Sequence, residues 1–395
     1  MSTRWRNARL GSADAMKISR RGQVPPFIVM DVMTAAAARE KSHGDVLHLE
    51  VGQPSTPAPA GVLAAAQAAL TQDKIGYTVA LGIPPLRQAI ASHYGRAYGT
   101  AVKPERVVVT TGSSGAFLLA FLAAFDVGDR VALAAPGYPA YRNILTALGI
   151  EAVEIPAGPD TRYQPTPELL EKHGGRLDGL IIASPANPTG TMLSPEALAD
   201  LTAYCESKSI RLVSDEIYHG ITYGMGTATA LQTSGSAIIV NSFSKYYSMT
   251  GWRLGWLVLP EDMLRPVECL AQNLYISPPT LSQYAAVAAF DCGEELDRNV
   301  ARYARNRGLL LEALPRAGFD RLAPADGAFY LYAEIGHLTN DSVEFCRRML
   351  AETGVAATPG VDFDPVRGHA TMRFSFAGAT EEMEEAAARL HRWLR

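Results

Sequence analysis

The sequence predicts an α/β protein built on a largely parallel sheet with helices on both faces. Short, almost wholly apolar runs alternate with longer stretches rich in alanine and leucine. A strand that is apolar along its whole length is typical of a sheet that is buried on both faces. With 395 residues, the chain is long enough for one large domain and a second, smaller one.

Five short runs with β-branched residues are the candidate strands of this sheet. They are Arg106–Thr110, Arg130–Ala134, Gly179–Ala183, Ile210–Ser214 and Ala237–Asn241. The helical segments among them include Ala116–Phe125, Ala140–Leu148 and Pro195–Ser207. Because neighbouring parallel strands need a crossover between them, usually a helix, this alternation favours a parallel sheet.

The C-terminal part of the chain has a lower hydrophobic density and predicts a smaller α+β domain, with which the residues before Gly52 pack. A long helical stretch at about Pro279–Leu314 leads to Ala328–Glu334, a helix near Ser342–Glu352, a strand near Thr371–Phe376 and an amphipathic helix at Glu381–Leu394. The predicted division is an N-terminal arm at 1–25, a small domain at 26–52 and 296–395, and a large domain at 53–295.

Composition and charge narrow the functional class. The formal net charge of −4 and the isoelectric point near 6.1 give no reason to expect nucleic acid as a partner. Met1–Gly22 lacks the apolar core of a secretion signal, and the longest apolar stretch, Ala116–Phe125, is too short to span a bilayer. The cysteines are scattered without the spacing of a metal or redox motif. We expect a cytoplasmic protein with no metal site and no membrane contact.

Polar groups follow every candidate strand, at the edge of the sheet where ligands of α/β proteins bind. The five exits are Thr111–Gly115 (TGSSG), Pro136–Pro139 (PGYP), Ser184–Gly190 (SPANPTG), Asp215–Tyr218 (DEIY) and Ser242–Lys245 (SFSK). They supply hydroxyls, an aromatic ring, an amide, a carboxylate with a phenol, and an amine. Such loops, converging on one edge, predict a single site.

Lys245 is the most informative of these groups. It closely follows an apolar strand, lies among hydroxyls and precedes Gly251-Trp252-Arg253, which is an unusual place for a surface charge. Its amine can form a Schiff base, and Ser242, Ser244 and Arg253 offer ligands for a phosphate. Pyridoxal 5'-phosphate carries one aldehyde and one phosphate, so the motif suits this cofactor.

Several neighbouring groups have two interpretations when each is taken alone. Gly112-Ser113-Ser114-Gly115, before an apolar helix, suits either a phosphate cradle of backbone N–H groups and hydroxyls or a serine helix cap. Asp215 either ends a strand or faces a pyridine nitrogen, which an opposite charge keeps protonated. Tyr138 is a core aromatic residue or a stacking ring. Asn187 is a turn residue or an amide that binds a phenolate oxygen.

Together these motifs resemble the class I/II aminotransferases, pyridoxal-phosphate enzymes of fold type I in the aspartate aminotransferase superfamily. The resemblance extends from Leu49–Pro54 (LEVGQP) to Arg373–Ala377 (RFSFA) and is most specific at Ser242–Gly255. It implies a large cofactor-binding domain with a mostly parallel seven-stranded sheet flanked by helices, plus the smaller α+β domain.

The resemblance also implies a role for each matching residue. Lys245 would hold the cofactor as an internal aldimine and, once freed by substrate, move a proton from the substrate's α-carbon to the cofactor. Asp215 would pair with the pyridinium nitrogen, and Tyr138 would stack on the ring. Asn187 and Tyr218 would bind the 3'-oxygen. The phosphate ligands would be Gly112, Ser113, Ser114, Ser242, Arg253 and, as a weaker candidate, Ser244.

By the same resemblance, Arg373 would clamp the substrate's α-carboxylate, and Asn187 would also contact the substrate. Gly52 would let the backbone approach that carboxylate closely. Tyr77 resembles the tyrosine that reaches the phosphate of the neighbouring subunit, which implies a homodimer.

The predicted activity is a ping-pong transfer of an amino group between an L-amino acid and a 2-oxo acid, with 2-oxoglutarate or pyruvate as the acceptor. A β-lyase acting on a sulfur amino acid uses almost the same residues and stays open, as does a cofactor-binding regulator. Arg20, Arg21 and Arg142 are available to bind a second substrate carboxylate. By the same resemblance, the apolar segment Val24–Met30 would line the substrate entrance, and the amino donor stays open.

Overall fold

The computed structural model describes residues 16–173 and 175–395, so residues 1–15 of the predicted N-terminal arm lie outside it. The helices are α1 (Ile28–His43), α2 (Ala60–Gln72), α3 (Pro84–Tyr98), α4 (Gly112–Ala124), α5 (Pro139–Leu148), α6 (Pro167–His173), α7 (Pro195–Ser207), α8 (Leu264–Leu274), α9 (Thr280–Val287), α10 (Gly293–Arg316), α11 (Ser342–Thr353) and α12 (Thr380–Trp393). The strands are β1 (Leu47–His48), β2 (Val107–Thr110), β3 (Arg130–Ala135), β4 (Glu151–Pro156), β5 (Gly179–Ala183), β6 (Arg211–Asp215), β7 (Ile238–Ser242), β8 (Gly255–Val258), β9 (Arg321–Leu322), β10 (Tyr330–Glu334), β11 (Val355–Ala356), β12 (Thr358–Pro359) and β13 (Thr371–Ser375).

Within the described residues, the large sheet has seven strands in the order β2-β8-β7-β6-β5-β3-β4. The strands from β3 to β7 pair in parallel, whereas β8 runs antiparallel to both of its neighbours. β2 therefore points the same way as β7, and the carboxyl ends of all five predicted strands lie at one edge. The predicted fold class, a mostly parallel seven-stranded sheet flanked by helices, is confirmed.

The central strands send alternate side chains into two different hydrophobic cores. In β2, Val107 and Val109 join one core and Val108 joins the other. In β7, Ile239 joins the first core and Val240 the second. Successive side chains of a strand point to opposite faces of the sheet. A sheet with a core on each face therefore needs strands that are apolar throughout, which is the pattern that predicted them.

Two strands of this sheet, β4 and β8, are not among the predicted ones. β4 lies at the edge of the sheet and carries Glu151 and Glu154, so it lacks a continuous apolar run. β8 begins only three residues after the turn Thr250–Trp252, inside the segment that we assigned to the lysine motif. Its four residues are buried between β2 and β7. Its residues are apolar throughout, so the local pattern was present and was overlooked at the end of the lysine motif.

A second sheet, antiparallel and in the order β12-β13-β10-β9, lies in the C-terminal part of the chain. β1 pairs with β11, and α1 packs against β11, β12 and α11. The residues before Gly52 thus contact this part, as expected. The division into a large and a small domain stays a prediction.

The predicted long helix at about Pro279–Leu314 is wrong, because the chain breaks there into α9, a short 3-10 turn at Ala288–Asp291 and α10. Glu294 and Glu295 lie in the first turn of α10. Acidic side chains stabilise a helix N-terminus through its dipole, and they favour a new start at this point. Among the helices that the structure describes, none combines the length and apolar character needed to cross a membrane.

Candidate active site

A cavity of about 190 Å³ lies at the edge of the large sheet where β5, β6 and β7 end. The predicted site residues that line it are Gly52, Ser113, Ser114, Tyr138, Asn187, Asp215, Tyr218, Ser244, Lys245, Arg253 and Arg373. The other lining residues are Phe27, Val29, Met33, Val51, Phe117, Tyr141, Ala183, Ile217, Thr250 and Tyr330. The strand exits thus converge, and they bring together groups from distant parts of the chain.

Lys245 lines this cavity and is half-buried, in the turn that follows β7. Its Nζ donates a hydrogen bond of 2.5 Å to the carbonyl oxygen of Gly52. It also lies 5.7 Å from the centre of the Tyr218 ring. Burial, together with the nearby Arg373 cation, lowers the pKa of the Lys245 amine to about 8, although the Asp215 carboxylate opposes the change. An amine with such a pKa is a usable nucleophile or base near neutral pH.

Asp215 is the last residue of β6, and its carboxylate is buried. It accepts hydrogen bonds from the Tyr141 hydroxyl and, at 3.1 Å, from the backbone N–H of Ile217. Burial raises the pKa of the Asp215 carboxyl to about 6, although both hydrogen bonds and the Lys245 charge oppose the rise. The group is therefore a carboxylate at neutral pH, held in a place where a cationic partner would stabilise it.

An anion cradle, consisting of Gly112, Ser113, Ser114 and Arg253, lies at the N-terminus of α4. No side chain caps this helix, so its first N–H groups lack that partner. Gly112 has a φ of +72°, and a Cβ at this position would lie 2.6 Å from Nη2 of Arg253. A glycine is thus required where the guanidinium approaches the backbone. Helix N–H groups beside a cation form an anion site.

The two serines before Lys245 differ in position. Ser244 lines the cavity. Ser242 is buried on the other side of the turn, where its hydroxyl lies 2.9 Å from Ser244 Oγ and 3.0 Å from the carbonyl oxygen of Leu254. It faces a second cavity beside His219. The geometry favours a structural role for Ser242 over the phosphate contact that the motif suggested.

Arg373, in β13, is almost completely buried and held by several groups. Its Nη1 donates to Asn187 Oδ1 at 2.8 Å, and its Nη2 donates to the carbonyl oxygen of Glu50 at 2.5 Å and to Thr358 Oγ1 at 3.2 Å. The guanidinium lies 4.4 Å from the centre of the Tyr330 ring. Its Nε is buried and has no acceptor among the residues described. A carboxylate entering the cavity would satisfy this cation.

Gly52 and Tyr218 meet at Tyr330, a residue that sequence reasoning missed. The Tyr218 and Tyr330 hydroxyls are 2.6 Å apart. A Cβ on Gly52 would lie 2.0 Å from the Tyr330 hydroxyl, so only glycine fits. The approach of the Gly52 backbone to the substrate carboxylate stays a prediction, and the close contact that the structure shows at Gly52 is with Tyr330 of β10.

Comparison with known proteins now decides the family. Residues 44–390 match the family Aminotransferase class I and II. The chain belongs to this family. It is 56% identical over 382 residues to the valine–pyruvate aminotransferase of Mycobacterium tuberculosis (strain ATCC 25618 / H37Rv), covering 96% of this chain and 98% of that protein.

Solved structures agree with this assignment. The crystal structure of an aminotransferase from Mycobacterium tuberculosis matches with a TM-score of 0.95 at 56% identity, over 96% of this chain and 99% of the other. Aspartate aminotransferase from Thermus thermophilus with maleate matches with a TM-score of 0.90 at 31% identity, over 96% and 100% of the two chains. The predicted enzyme class is confirmed: the protein is an aminotransferase, of a family that depends on pyridoxal phosphate.

An apolar wall, formed by Phe27, Val29 and Met33, lines one part of the aminotransferase's cavity. Phe27 packs edge-on against Tyr138, with ring centres 5.8 Å apart. Val29 was within the apolar segment expected at the substrate entrance, whereas Met33 lies beyond its predicted end. These side chains favour an apolar substrate group.

None of the three candidate second cations lines the cavity in the part of the chain that the structure describes. Arg142 forms an ion pair of 2.7 Å with Glu154 and donates to the carbonyl oxygen of Asp362 at 3.2 Å. Arg20 and Arg21 are exposed in a short turn before α1. Within the described residues, none of these three arginines therefore reaches the cavity of its own chain.

Tyr77 is 84% exposed and does not line the cavity of its own chain. It borders a shallow surface depression with Ile75 and Thr280. A large phenol with this exposure has few contacts within its own chain. That Tyr77 reaches the phosphate bound by the neighbouring subunit stays a prediction.

Proposed function

We propose that this aminotransferase carries pyridoxal phosphate on Lys245 and transfers the amino group of valine, or of a similar aliphatic amino acid, to pyruvate. The main support for valine and pyruvate as substrates is the 56% identity, over 96% of this chain, to a valine–pyruvate aminotransferase. The apolar wall supports it independently, because it suits an aliphatic side chain.

The residues of the cavity fit the cofactor. The anion cradle suits its phosphate, and the close approach of Arg253 to Gly112 supplies charge at a helix N-terminus. The buried Asp215 carboxylate, with a pKa of about 6, would be stabilised by a protonated ring nitrogen. The Tyr218 hydroxyl and the Asn187 amide are available to the ring oxygen. When bound, pyridoxal phosphate supplies an electron sink for the substrate's α-carbon.

The chain's own residues then bind and orient the amino acid. Arg373 binds the α-carboxylate through its fork, which positions the Cα–H bond for reaction. Lys245 Nζ takes the proton from the α-carbon, and burial keeps its pKa low enough for this task. Arg373, which would bind the substrate's carboxylate, donates a hydrogen bond to Asn187, which would contact the cofactor's ring oxygen.

We also propose a cytoplasmic homodimer. All four cysteines are unpaired, which supports a reducing compartment. The exposed Tyr77 supports a second subunit, since it resembles the residue that reaches a partner's phosphate. Within each chain, we propose the division at residues 52–53 and 295–296 into two domains.

A screen of amino donors tests which amino acid and which 2-oxo acid are the substrates. Purified holoenzyme is incubated with single amino acids and either pyruvate or 2-oxoglutarate, and the products are separated by chromatography. Valine with pyruvate should give alanine and the branched 2-oxo acid at the highest rate. Preference for aspartate would contradict the proposal, and release of ammonia and pyruvate from a sulfur amino acid would identify a lyase instead.

A further inference from the structure

The first turn of α1 is capped by a residue from a distant part of the chain. α1 has no capping side chain of its own at Phe27. Instead, both oxygens of the Asp362 carboxylate accept its first N–H groups, from Ile28 at 3.0 Å and from Val29 at 3.2 Å. A carboxylate at a helix N-terminus satisfies unpaired N–H groups and interacts favourably with the helix dipole.

Asp362 is itself tied to the strand that carries Arg373. It ends the short 3-10 turn Gly360–Asp362, which directly follows β12. In β12, Thr358 pairs with Arg373, and its hydroxyl accepts a hydrogen bond from the Arg373 guanidinium. Asp362 is 2% exposed. A short, buried connection thus joins the carboxylate clamp to the start of α1.

The residues at that start form the apolar wall of the cavity. Phe27 directly precedes the two capped N–H groups, Val29 carries one of them, and Met33 follows one turn later on the same face as Val29. We propose that Asp362 is a positioning residue for substrate specificity: it holds the start of α1 so that the wall contacts an aliphatic side chain while Arg373 binds the carboxylate. This inference rests on the proposed function, because it concerns the recognition of valine at the same site.

Comparing valine with alanine as the amino donor distinguishes a role of Asp362 in substrate specificity from an effect on overall stability. Both amino acids present the same amine and carboxylate, but alanine has no atoms beyond Cβ to reach the wall. Each methyl group in an apolar pocket changes kcat/KM about 10- to 200-fold. A displaced wall should therefore weaken the reaction of valine and leave that of alanine nearly unchanged.

The variants are Asp362→Ala and the milder Asp362→Asn, which keeps one acceptor oxygen. Each holoenzyme is mixed with valine or alanine in a single turnover, followed by the absorbance of the cofactor. We expect the valine-to-alanine ratio of specificity constants to fall about tenfold in Asp362→Ala and about threefold in Asp362→Asn. An unchanged ratio, with or without an equal loss of activity toward both amino acids, would overturn the inference.

Asp341→Ala is the matched control, since Asp341 caps α11 through the N–H of Glu344 at 3.1 Å, away from the cavity. It should leave the ratio unchanged. Amide hydrogen exchange gives a readout that does not depend on activity: the N–H groups of Ile28 and Val29 should exchange faster in the Asp362 variants and not in the control. If the control lowers the ratio as much, or if these two N–H groups stay protected in the Asp362 variants, Asp362 does not act through α1.

A double variant tests the proposed route. Val29→Ala shortens the wall directly and should lower the same ratio. If Asp362 acts through the wall, adding Asp362→Asn to Val29→Ala should lower the ratio by less than the product of the two single effects. Independent effects would overturn the inference. Wild-type enzyme that fails to react with valine would instead contradict the proposed function, and this inference with it.

Discussion

The Tyr141 hydroxyl donates a hydrogen bond to the Asp215 carboxylate in the floor of the cavity. Both side chains are buried, and they come from α5 and from the end of β6. The hydrogen bond lowers the pKa of Asp215, while burial raises it to about 6. Tyr141 therefore helps to keep this carboxyl ionised at neutral pH, which is the state that a cationic ring nitrogen would need.

Replacing Tyr141 with phenylalanine should weaken cofactor binding most at acid pH. Without the hydrogen bond the pKa of Asp215 rises, so the carboxylate is lost at a higher pH than in the wild type. A hydrogen bond to a charged group contributes about 1.5–3 kcal/mol, so we expect the affinity for pyridoxal phosphate to fall by about tenfold or more at pH 6. Titration of cofactor absorbance between pH 5 and 9 measures this. Tyr204→Phe, which removes a surface hydrogen bond to Glu171, is the control.

Asp215→Asn should stabilise the cofactor-free protein above pH 6. The Asp215 carboxyl has a folded pKa of about 6 against an ordinary value of 3.8. Below both values the group is protonated in either state. As pH rises it ionises first in the unfolded chain, so its contribution to stability is lost by about pH 6. The variant's free energy of unfolding, relative to that of the wild type, should therefore rise by about 3 kcal/mol between about pH 3 and pH 7. Urea unfolding across pH measures it, and a pH-independent difference would contradict the assignment.

Lys245→Ala should abolish transamination. The variant lacks both the amine that would bind the cofactor's aldehyde and the base for the α-proton, so we expect kcat to fall by about 10³-fold or more. Borohydride reduction of wild-type holoenzyme should attach the cofactor to the peptide that contains Lys245, as read by mass spectrometry. Lys208→Ala, which removes an exposed lysine paired with Glu171, should leave both results unchanged.

Arg373→Lys should lower kcat/KM for valine by about 10²-fold, because lysine keeps the charge but loses the planar fork. Isobutylamine, which is valine without its carboxylate, is the matched probe. Its slow reaction with the holoenzyme should be the same in the variant and the wild type. If the amine also loses its reaction rate, Arg373 acts through the structure of the cavity and does not bind the carboxylate.

Mixed dimers test the role of Tyr77. Tyr77→Phe should lower the affinity for pyridoxal phosphate about fivefold, as expected for one lost hydrogen bond. When this variant is mixed with Lys245→Ala, the mixed dimer has one site with an intact lysine and the partner's intact tyrosine. That site should regain wild-type affinity. No recovery, or a monomer in analytical ultracentrifugation, would contradict the proposed exchange.

The sequence alone predicted the parallel sheet and most of the chemistry at its edge. Strands such as Gly179–Ala183 match the structure to the residue, because continuous apolar runs reflect burial on both faces. The groups that follow them, from Asn187 to Lys245, reach one cavity because parallel strands end at the same edge. The continuous helix at Pro279–Leu314 was wrong, since the break between α9 and α10 interrupts no apolar pattern.

Tertiary structure alone decided which groups surround these residues and how they ionise. Hydrogen bonds join residues that lie far apart in the chain, and no local motif predicts such pairs. The residues found in this way are Tyr141, Tyr330 and Asp362. The pKa values of Asp215 and Lys245 follow from burial, which depends on everything packed around them. Residue chemistry and the apolar pattern of a single strand can be read locally in the sequence, whereas strand order, proximity and desolvation arise only when the chain has folded.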